Sequence, residues 1–168
     1  SVGEKQIPEL LLGMVQGANR DVLRFLGKAR GQSGSTVTAV WILGDRLHFL
    51  SVGDSRICLI RGGALTILNR EHVYGTELDE KAARGEISLE EARSDPQRKS
   101  LTSYIGTDPL KKIDRSVHGM TLLPGDKVLL MSDGVFGTLT EQEILRAAQG
   151  DAQVMAEGLQ RMILAKRR

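Results

Sequence analysis

The chain has 168 residues, 40% hydrophobic and 26% charged, a composition typical of one soluble globular domain and unlike that of a disordered chain. Its net charge is only +2 and its basic residues are interleaved with acidic ones, which argues against nucleic-acid binding. The single cysteine, Cys58, excludes an internal disulfide and a cysteine-based zinc cluster, and no apolar run is long enough to cross a membrane, so we expect a cytoplasmic protein.

The first predicted element is a helix over residues 9–30. Its apolar side chains recur at close to a helical period. Pro8 suits the first turn of this helix and Gly31 suits its end, because proline is favoured where helices begin and glycine where they end.

Residues 35–68 change character and read as strands. The β-branched run "STVTAVWIL" is followed by a "GD" turn and by "RLHFLSV", which predicts a hairpin. The stretch "RICLIRGGALTIL" predicts two further strands joined by a two-residue turn at Gly62 and Gly63. We therefore expect an antiparallel meander of three or four strands, covered on both faces because most of its positions are apolar.

Residues 71–99 lose the strand pattern. Two short, charged helices are predicted there, over 78–85 and 88–95. Excursions of this length between strands are uncommon, so we interpret residues 71–99 as a functional lid or binding element, called the flap. The strand pattern returns at 100–106 and 114–123.

The last part of the chain combines one buried strand with two helices. The stretch "PGDKVLLMSDG" predicts a turn, a strand and then an abrupt acidic turn. Thr140, with Glu143 three residues later, is a capping box that predicts the start of a helix, and a final helix begins near Asp151. This order of elements predicts an α+β fold with antiparallel sheet, in one domain over residues 1–168.

Two acidic turns follow strongly apolar strands. Asp54 lies in "VGDS" and Asp133 lies in "MSDG". A buried strand is rigid, so two such carboxylates from neighbouring strands can share a hard cation such as Mg²⁺ or Mn²⁺, which acidifies a bound water and neutralises a phosphate. Aspartate beside glycine or serine is also common in ordinary turns, so spacing alone leaves both interpretations open.

Three longer stretches resemble the metal-dependent protein phosphatases, the type 2C serine/threonine phosphatases, and bacterial members above all. They are "GSTVTAVWILGDRLHFLSVGDSRICLIRGGALTIL", "LTSYIGTD" and "LLPGDKVLLMSDGVFGTLTEQEI", in that order along residues 34–144. The stretch "GEISLEEARSDPQRKSLTSYIG" resembles the flap subdomain of the bacterial enzymes. Several motifs in order are a far more specific signal than "GDS" or "SDG" alone.

The resemblance implies a sandwich of two antiparallel sheets flanked by helices on both sides, with a helical flap insertion. It implies a pair of Mn²⁺ or Mg²⁺ ions bridging the water that attacks a phosphoserine or phosphothreonine, and a cognate serine/threonine kinase as partner. Asp133 matches a ligand of the first catalytic metal, and Asp54 matches a residue that helps hold a third metal in bacterial members. Gly134 and Ser55 are the residues next to these two positions.

The sequence departs from the family pattern at its metal motifs. The early R-x-x-N-E-D and D-G-x-G-G motifs and the final G-x-D-N motif are absent, and Gly137 stands where many members have an aspartate. Of the carboxylates that bind the two catalytic metal ions in the family, only Asp133 is present. We therefore expect the 168 residues alone to be inactive and to be part of a longer enzyme, with a naturally degenerate member as the rival interpretation.

The flap contributes two further candidates, His72 and Arg98. The histidines are too dispersed in sequence to indicate a zinc site, which favours a structural role for each of them. A functional role for His72 stays open because it lies at the start of the flap. Arg98, in the basic "QRK", either contacts an acidic phosphopeptide or belongs to a solvated surface.

Two hypotheses for function follow: a phosphoprotein phosphatase that contacts neither nucleic acid nor membrane, and a non-catalytic, phosphatase-like binding or sensing module.

Overall fold

The computed structural model describes residues 2–29 and 33–167. A 3₁₀ turn, Glu4–Gln6, leads into α1, Ile7–Ala29. Pro8 lies in the first turn of α1, where a missing N–H costs no hydrogen bond, so the predicted helix start is confirmed. The predicted stop at Gly31 lies outside the described residues.

The first sheet is built on the hairpin of β1, Val37–Leu43, and β2, Arg46–Val52. Two short strands, β5 (Asp114–Arg115) and β6 (Met120–Thr121), pair antiparallel with the other edge of β2. Helix α1 covers one face of this sheet. The buried core between them contains Ile7, Leu11, Val15, Leu50 and Val52.

The second sheet has the strand order β4-β3-β7, all antiparallel. Its strands are β3 (Arg56–Arg61), β4 (Ala64–Ile67) and β7 (Lys127–Met131). Helices α5, Glu141–Ala147, and α6, Ala152–Lys166, cover its outer face. The core on that side contains Cys58, Ile60, Leu129, Met131, Ile144, Met155 and Leu159.

Strands β2 and β3 are consecutive in sequence but lie in different sheets, so the expectation of a single meander is wrong. The chain turns between the sheets at Gly53, whose φ of 109° is open to glycine but strained for other residues. Ile57 and Leu59 alternate with the residues that face α5 and α6, so they point toward the first sheet, and both are buried. The predicted α+β sandwich with helices on both outer sides is confirmed.

The flap contains two helices, α2 (Tyr74–Ala83) and α3 (Leu89–Ser94). The base of the flap is closed by backbone hydrogen bonds: the N–H groups of Tyr74 and Gly75 donate to the carbonyls of Ser100 and Arg98, at 2.9 and 2.8 Å. Both predicted helices are present, and α2 begins four residues earlier than the charge pattern indicated.

The remaining predictions are confirmed in part. The capping box of Thr140 and Glu143 is formed, and Asp151 caps the start of α6. The strand expected at 100–106 is reduced to two isolated bridges, at Leu101 and Ile105, and the strand expected at 114–123 is reduced to β5 and β6. The acidic turn after β7 continues as a one-turn helix, α4, Asp133–Phe136. Within the described ranges, no helix combines the length and the apolar character needed to span a membrane.

Candidate functional site

Asp54 and Asp133 line one cleft of about 770 Å³, here called the Asp54–Asp133 cleft. Asp54 is half-buried in the β2–β3 connection, and Asp133 is exposed at the start of α4. Gly134 also lines this cleft, and one of its walls is formed by flap residues. Two carboxylates that lie 79 positions apart in sequence therefore share one solvent-accessible space.

The corner that carries Asp54 is held by its neighbours. The Gly53 N–H donates to Nδ1 of His72 at 3.1 Å, and the His72 N–H donates to the Gly53 carbonyl at 2.8 Å. The Ser55 hydroxyl shares a hydrogen bond with the Thr36 hydroxyl at 3.1 Å. The Ser55 hydroxyl therefore helps to anchor the corner next to Asp54.

Asn69 is the buried centre of this arrangement, with 6% of its surface exposed. Its Oδ1 accepts from the Ile57 N–H at 2.6 Å, and its Nδ2 donates to the Ser51 hydroxyl at 3.0 Å and to the Ser55 carbonyl at 2.9 Å. One amide side chain thereby joins the end of β2, the corner and the start of β3. These bonds fix the backbone on both sides of Asp54.

Asp133 is positioned by the end of β7 and by the single turn of α4. Its carbonyl accepts from the Gly137 N–H at 2.7 Å. A Cβ at position 137 would lie 2.6 Å from that same carbonyl oxygen, so a larger residue there would displace the backbone of α4.

Arg56 joins three segments around the cleft. Its guanidinium lies 3.9 Å above the Phe136 ring of α4, a cation–π contact, and its Nη2 donates to Glu71 at the flap entrance at 3.0 Å. Glu71, the ion-pair partner of Arg56, is 15 residues away in sequence, and its carboxylate balances the charge of Arg56.

The two flap candidates have different positions. His72 is buried and faces a neighbouring hollow shared with Lys112 and Glu77, outside the Asp54–Asp133 cleft. Arg98 lines the cleft, but its guanidinium forms two 2.9 Å hydrogen bonds with both carboxylate oxygens of Asp79. These bonds hold the pKa of Asp79 below its usual range, and they lock α2 to the segment after α3.

The environment of His72 gives a pH prediction. Burial lowers the pKa of the His72 imidazole below its ordinary value of 6.5, and a proton on Nδ1 would remove the acceptor of the Gly53 N–H. Below pH 6.5 the unfolded chain binds a proton that the folded chain excludes, so stability falls as the pH is lowered through that window and is unaffected above it.

We expect His72→Asn to flatten this pH dependence, because the Oδ1 of asparagine stands at the position of the His72 Nδ1, accepts from the Gly53 N–H and does not titrate. Urea unfolding at pH 7.5 and at pH 5.5 measures the effect. The wild-type chain should lose up to about 1.4 kcal/mol more per pH unit than the variant. Parallel pH profiles for the two proteins would contradict the prediction, since the other titrating groups are common to both.

The donor set of the cleft fits a hard divalent ion only in part. Asp54 and Asp133 are oxygen ligands of the type that Mg²⁺ and Mn²⁺ prefer, and Mg²⁺ sites commonly use one or two carboxylates completed by water. Across residues 2–29 and 33–167, no group of three or more histidine, cysteine, aspartate or glutamate side chains is placed to hold a metal ion. These residues by themselves do not fit a two-metal centre.

Sequence reasoning overlooked several residues of this cleft. Neither Phe136 of α4 nor Arg167, which lines the cleft from the end of α6, was a candidate. Lys99 was included in "QRK" without a specific role, and it lines the flap wall. No local pattern marks Arg167, because its position depends on how α6 packs across the second sheet.

Comparison with known proteins adds relatives of both sequence and fold, although no protein-family model matches the chain. A Streptococcus pyogenes protein named as a phosphatase 2C-type protein is 33% identical over 142 residues, which is 83% of this chain and 55% of that protein. The solved serine/threonine phosphatase of S. agalactiae superposes with a TM-score of 0.83 at 27% identity, covering 96% of this chain and 66% of that one.

A third similarity is to the PPM Ser-Thr phosphatase MsPP from Mycobacterium smegmatis, solved in complex with cacodylate. It shares 34% identity and a TM-score of 0.76, over 93% of this chain and 67% of that one. The chain spans about half the length of the S. pyogenes relative, at 55%, and about two thirds of each solved chain, at 66% and 67%.

Proposed function

The chain belongs to the metal-dependent type 2C family of protein phosphatases. From this membership we propose that the full-length protein hydrolyses phosphoserine and phosphothreonine in other proteins. The observation that carries the proposal is the shared cleft of Asp54 and Asp133, with the flap as one wall. The proposed partners are cytoplasmic phosphoproteins and a cognate serine/threonine kinase.

The proposed cofactors are two Mn²⁺ or Mg²⁺ ions, with a third ion beside the pair. Asp133 would hold an ion of the pair and Asp54 the third. Bound divalent ions of this kind supply an acidified water and neutralise phosphate charge. Because the two carboxylates do not complete a two-metal centre and the relatives are longer than this chain, we assign the remaining ligands to parts of a full-length protein outside these 168 residues.

The role of this chain's own residues is positioning. The Asn69 hydrogen bonds and the Gly53 corner hold Asp54, and β7 with the Gly137 contact holds Asp133. Arg56, at the start of β3, contacts Phe136 of α4 and Glu71 at the flap entrance. These contacts connect the segment that carries Asp54 with the helix that carries Asp133. A rigid placement of this kind favours catalysis because reacting groups need no rearrangement when substrate binds.

The decisive test measures Mn²⁺-dependent hydrolysis of a phosphothreonine peptide by the full-length gene product. We expect activity that EDTA abolishes, and we expect Asp133→Asn to lower kcat/KM by at least about 100-fold, because it removes a charged metal ligand. Asp45→Asn is the matched control: Asp45 is an exposed aspartate in the β1–β2 turn, outside the cleft, and its variant should keep wild-type activity.

Titration calorimetry with Mn²⁺ complements this assay. Asp54→Asn should weaken Mn²⁺ binding, whereas Asp45→Asn should leave it unchanged. A full-length protein that binds Mn²⁺ without hydrolysing phosphopeptide would contradict the proposed activity and support a binding or sensing module instead.

A further inference from the structure

The charges of the Asp54–Asp133 cleft are not all accounted for by its ion pairs. Eight charged side chains line it, and four of them are engaged: Arg56 with Glu71 at 3.0 Å, and Arg98 with Asp79 at 2.9 Å. Two carboxylates remain, together with two cations, Lys99 and Arg167. Neither cation forms an ion pair with any residue in 2–29 or 33–167.

Arg167 lies directly beside the residue that follows Asp133. Its Nη2 is 3.8 Å from the position that a Cβ on Gly134 would occupy, so the guanidinium rests against a backbone that has no side chain. The end of α6 is fixed there, because Lys166 donates to the Thr138 carbonyl at 3.2 Å and to the Glu143 carboxylate at 2.7 Å. The ammonium of Lys166 and the Thr140 cap lower the pKa of Glu143 to about 2, which keeps this anchor charged.

Lys99 enters the cleft from the flap wall. It directly follows Arg98, whose bonds to Asp79 and whose carbonyl contact with the Gly75 N–H hold this segment against α2. The Lys99 side chain is exposed and lines the cleft. The flap and the end of α6 therefore each bring one cation to a space that also contains two carboxylates.

We propose that Arg167 and Lys99 form an anion site that binds the phosphate group of a phosphopeptide without the help of metal. This inference rests on the proposed function for its ligand class. Arg167 suits phosphate oxygens because its planar guanidinium donates two parallel hydrogen bonds, and Lys99 adds a second positive charge from the flap wall. A phosphomonoester carries about −1.5 to −2 charges at pH 7, which matches two free cations.

The nearby carboxylates set the expected strength of this site. Asp54 and Asp133 repel phosphate when no divalent ion is present, so the metal-free affinity should be weak and should fall further with salt.

The test uses the full chain in EDTA at low salt, with a fluorescein-labelled phosphothreonine peptide followed by fluorescence anisotropy. We expect the phosphopeptide to bind about tenfold tighter than its unphosphorylated form, and inorganic phosphate to displace it. Arg167→Gln and Lys99→Gln should each raise the Kd by roughly 3- to 10-fold. Circular dichroism confirms that each variant is folded.

Matched controls are available on the same elements. Arg161→Gln removes an exposed arginine of α6 and Arg93→Gln an exposed arginine of α3, neither of which lines the cleft. Both controls should bind the phosphopeptide as the wild-type chain does. Equal losses in the controls and the test variants, or failure of inorganic phosphate to displace the peptide, would overturn the anion site.

The outcome separates this inference from the proposed function. If the full-length enzyme hydrolyses phosphopeptide and Arg167→Gln leaves both KM and the metal-free Kd unchanged, the anion site is wrong and the phosphatase activity stands. If the variants lose peptide binding but the full-length protein hydrolyses nothing with Mn²⁺, the anion site stands and the activity is wrong.

Discussion

Asn69→Ala is expected to lower the free energy of unfolding by about 3 kcal/mol, because it leaves buried backbone groups without partners. The Ile57 N–H would lose its acceptor, and the Ser55 carbonyl and the Ser51 hydroxyl would lose their donor. Urea unfolding at neutral pH measures the loss as a lower midpoint with an unchanged slope.

Two further variants apportion this effect. Ser51→Ala removes one of the three hydrogen bonds and should cost about 1 kcal/mol. Asn69→Asp keeps the acceptor for the Ile57 N–H but has no N–H to donate, so it loses two of the three hydrogen bonds and should cost more than Ser51→Ala. A loss below about 1 kcal/mol for Asn69→Ala would show that the amide network is dispensable.

Gly53→Ala is expected to cost about 3 kcal/mol or more, from backbone strain and from a steric clash that add. The φ of 109° is rarely adopted by L side chains, and the new Cβ would lie 2.4 Å from Cγ2 and 2.6 Å from Cβ of Thr36. Relief of the clash would require the β2–β3 corner to move, and Asp54 moves with it. Thermal unfolding of the variant measures the loss.

The control for strain alone is Gly62→Ala, in the β3–β4 hairpin turn. Gly62 has a φ of 57°, and a Cβ there meets no atom within 4 Å. Its cost should be about 1 kcal/mol, from the left-handed conformation without any clash. Equal losses at Gly53 and Gly62 would mean that the contact with Thr36 contributes nothing.

The cleft itself was partly predictable from sequence. Two acids that each follow a strongly apolar strand were recognisable as candidates, and the order of motifs identified the family in which such acids meet. Their meeting in this chain depends on β3 and β7 being paired, with Arg56 opposite Met131, which no local pattern reveals. The ion pairs of Arg98 and Arg56 could not be predicted from local sequence. Their partners, Asp79 and Glu71, are 19 and 15 residues away.

What the sequence by itself determined is the set of elements governed by short-range rules. Pro8 at the start of α1, the capping box of α5 and the Gly62–Gly63 hairpin all depend on residues within a few positions of one another. Only the tertiary structure decided that β2 and β3 separate into two sheets and that Arg167 reaches Gly134. These features depend on how the two sheets and their helices pack. Packing is determined by contacts between residues that are far apart in sequence, so a short stretch of sequence does not specify it.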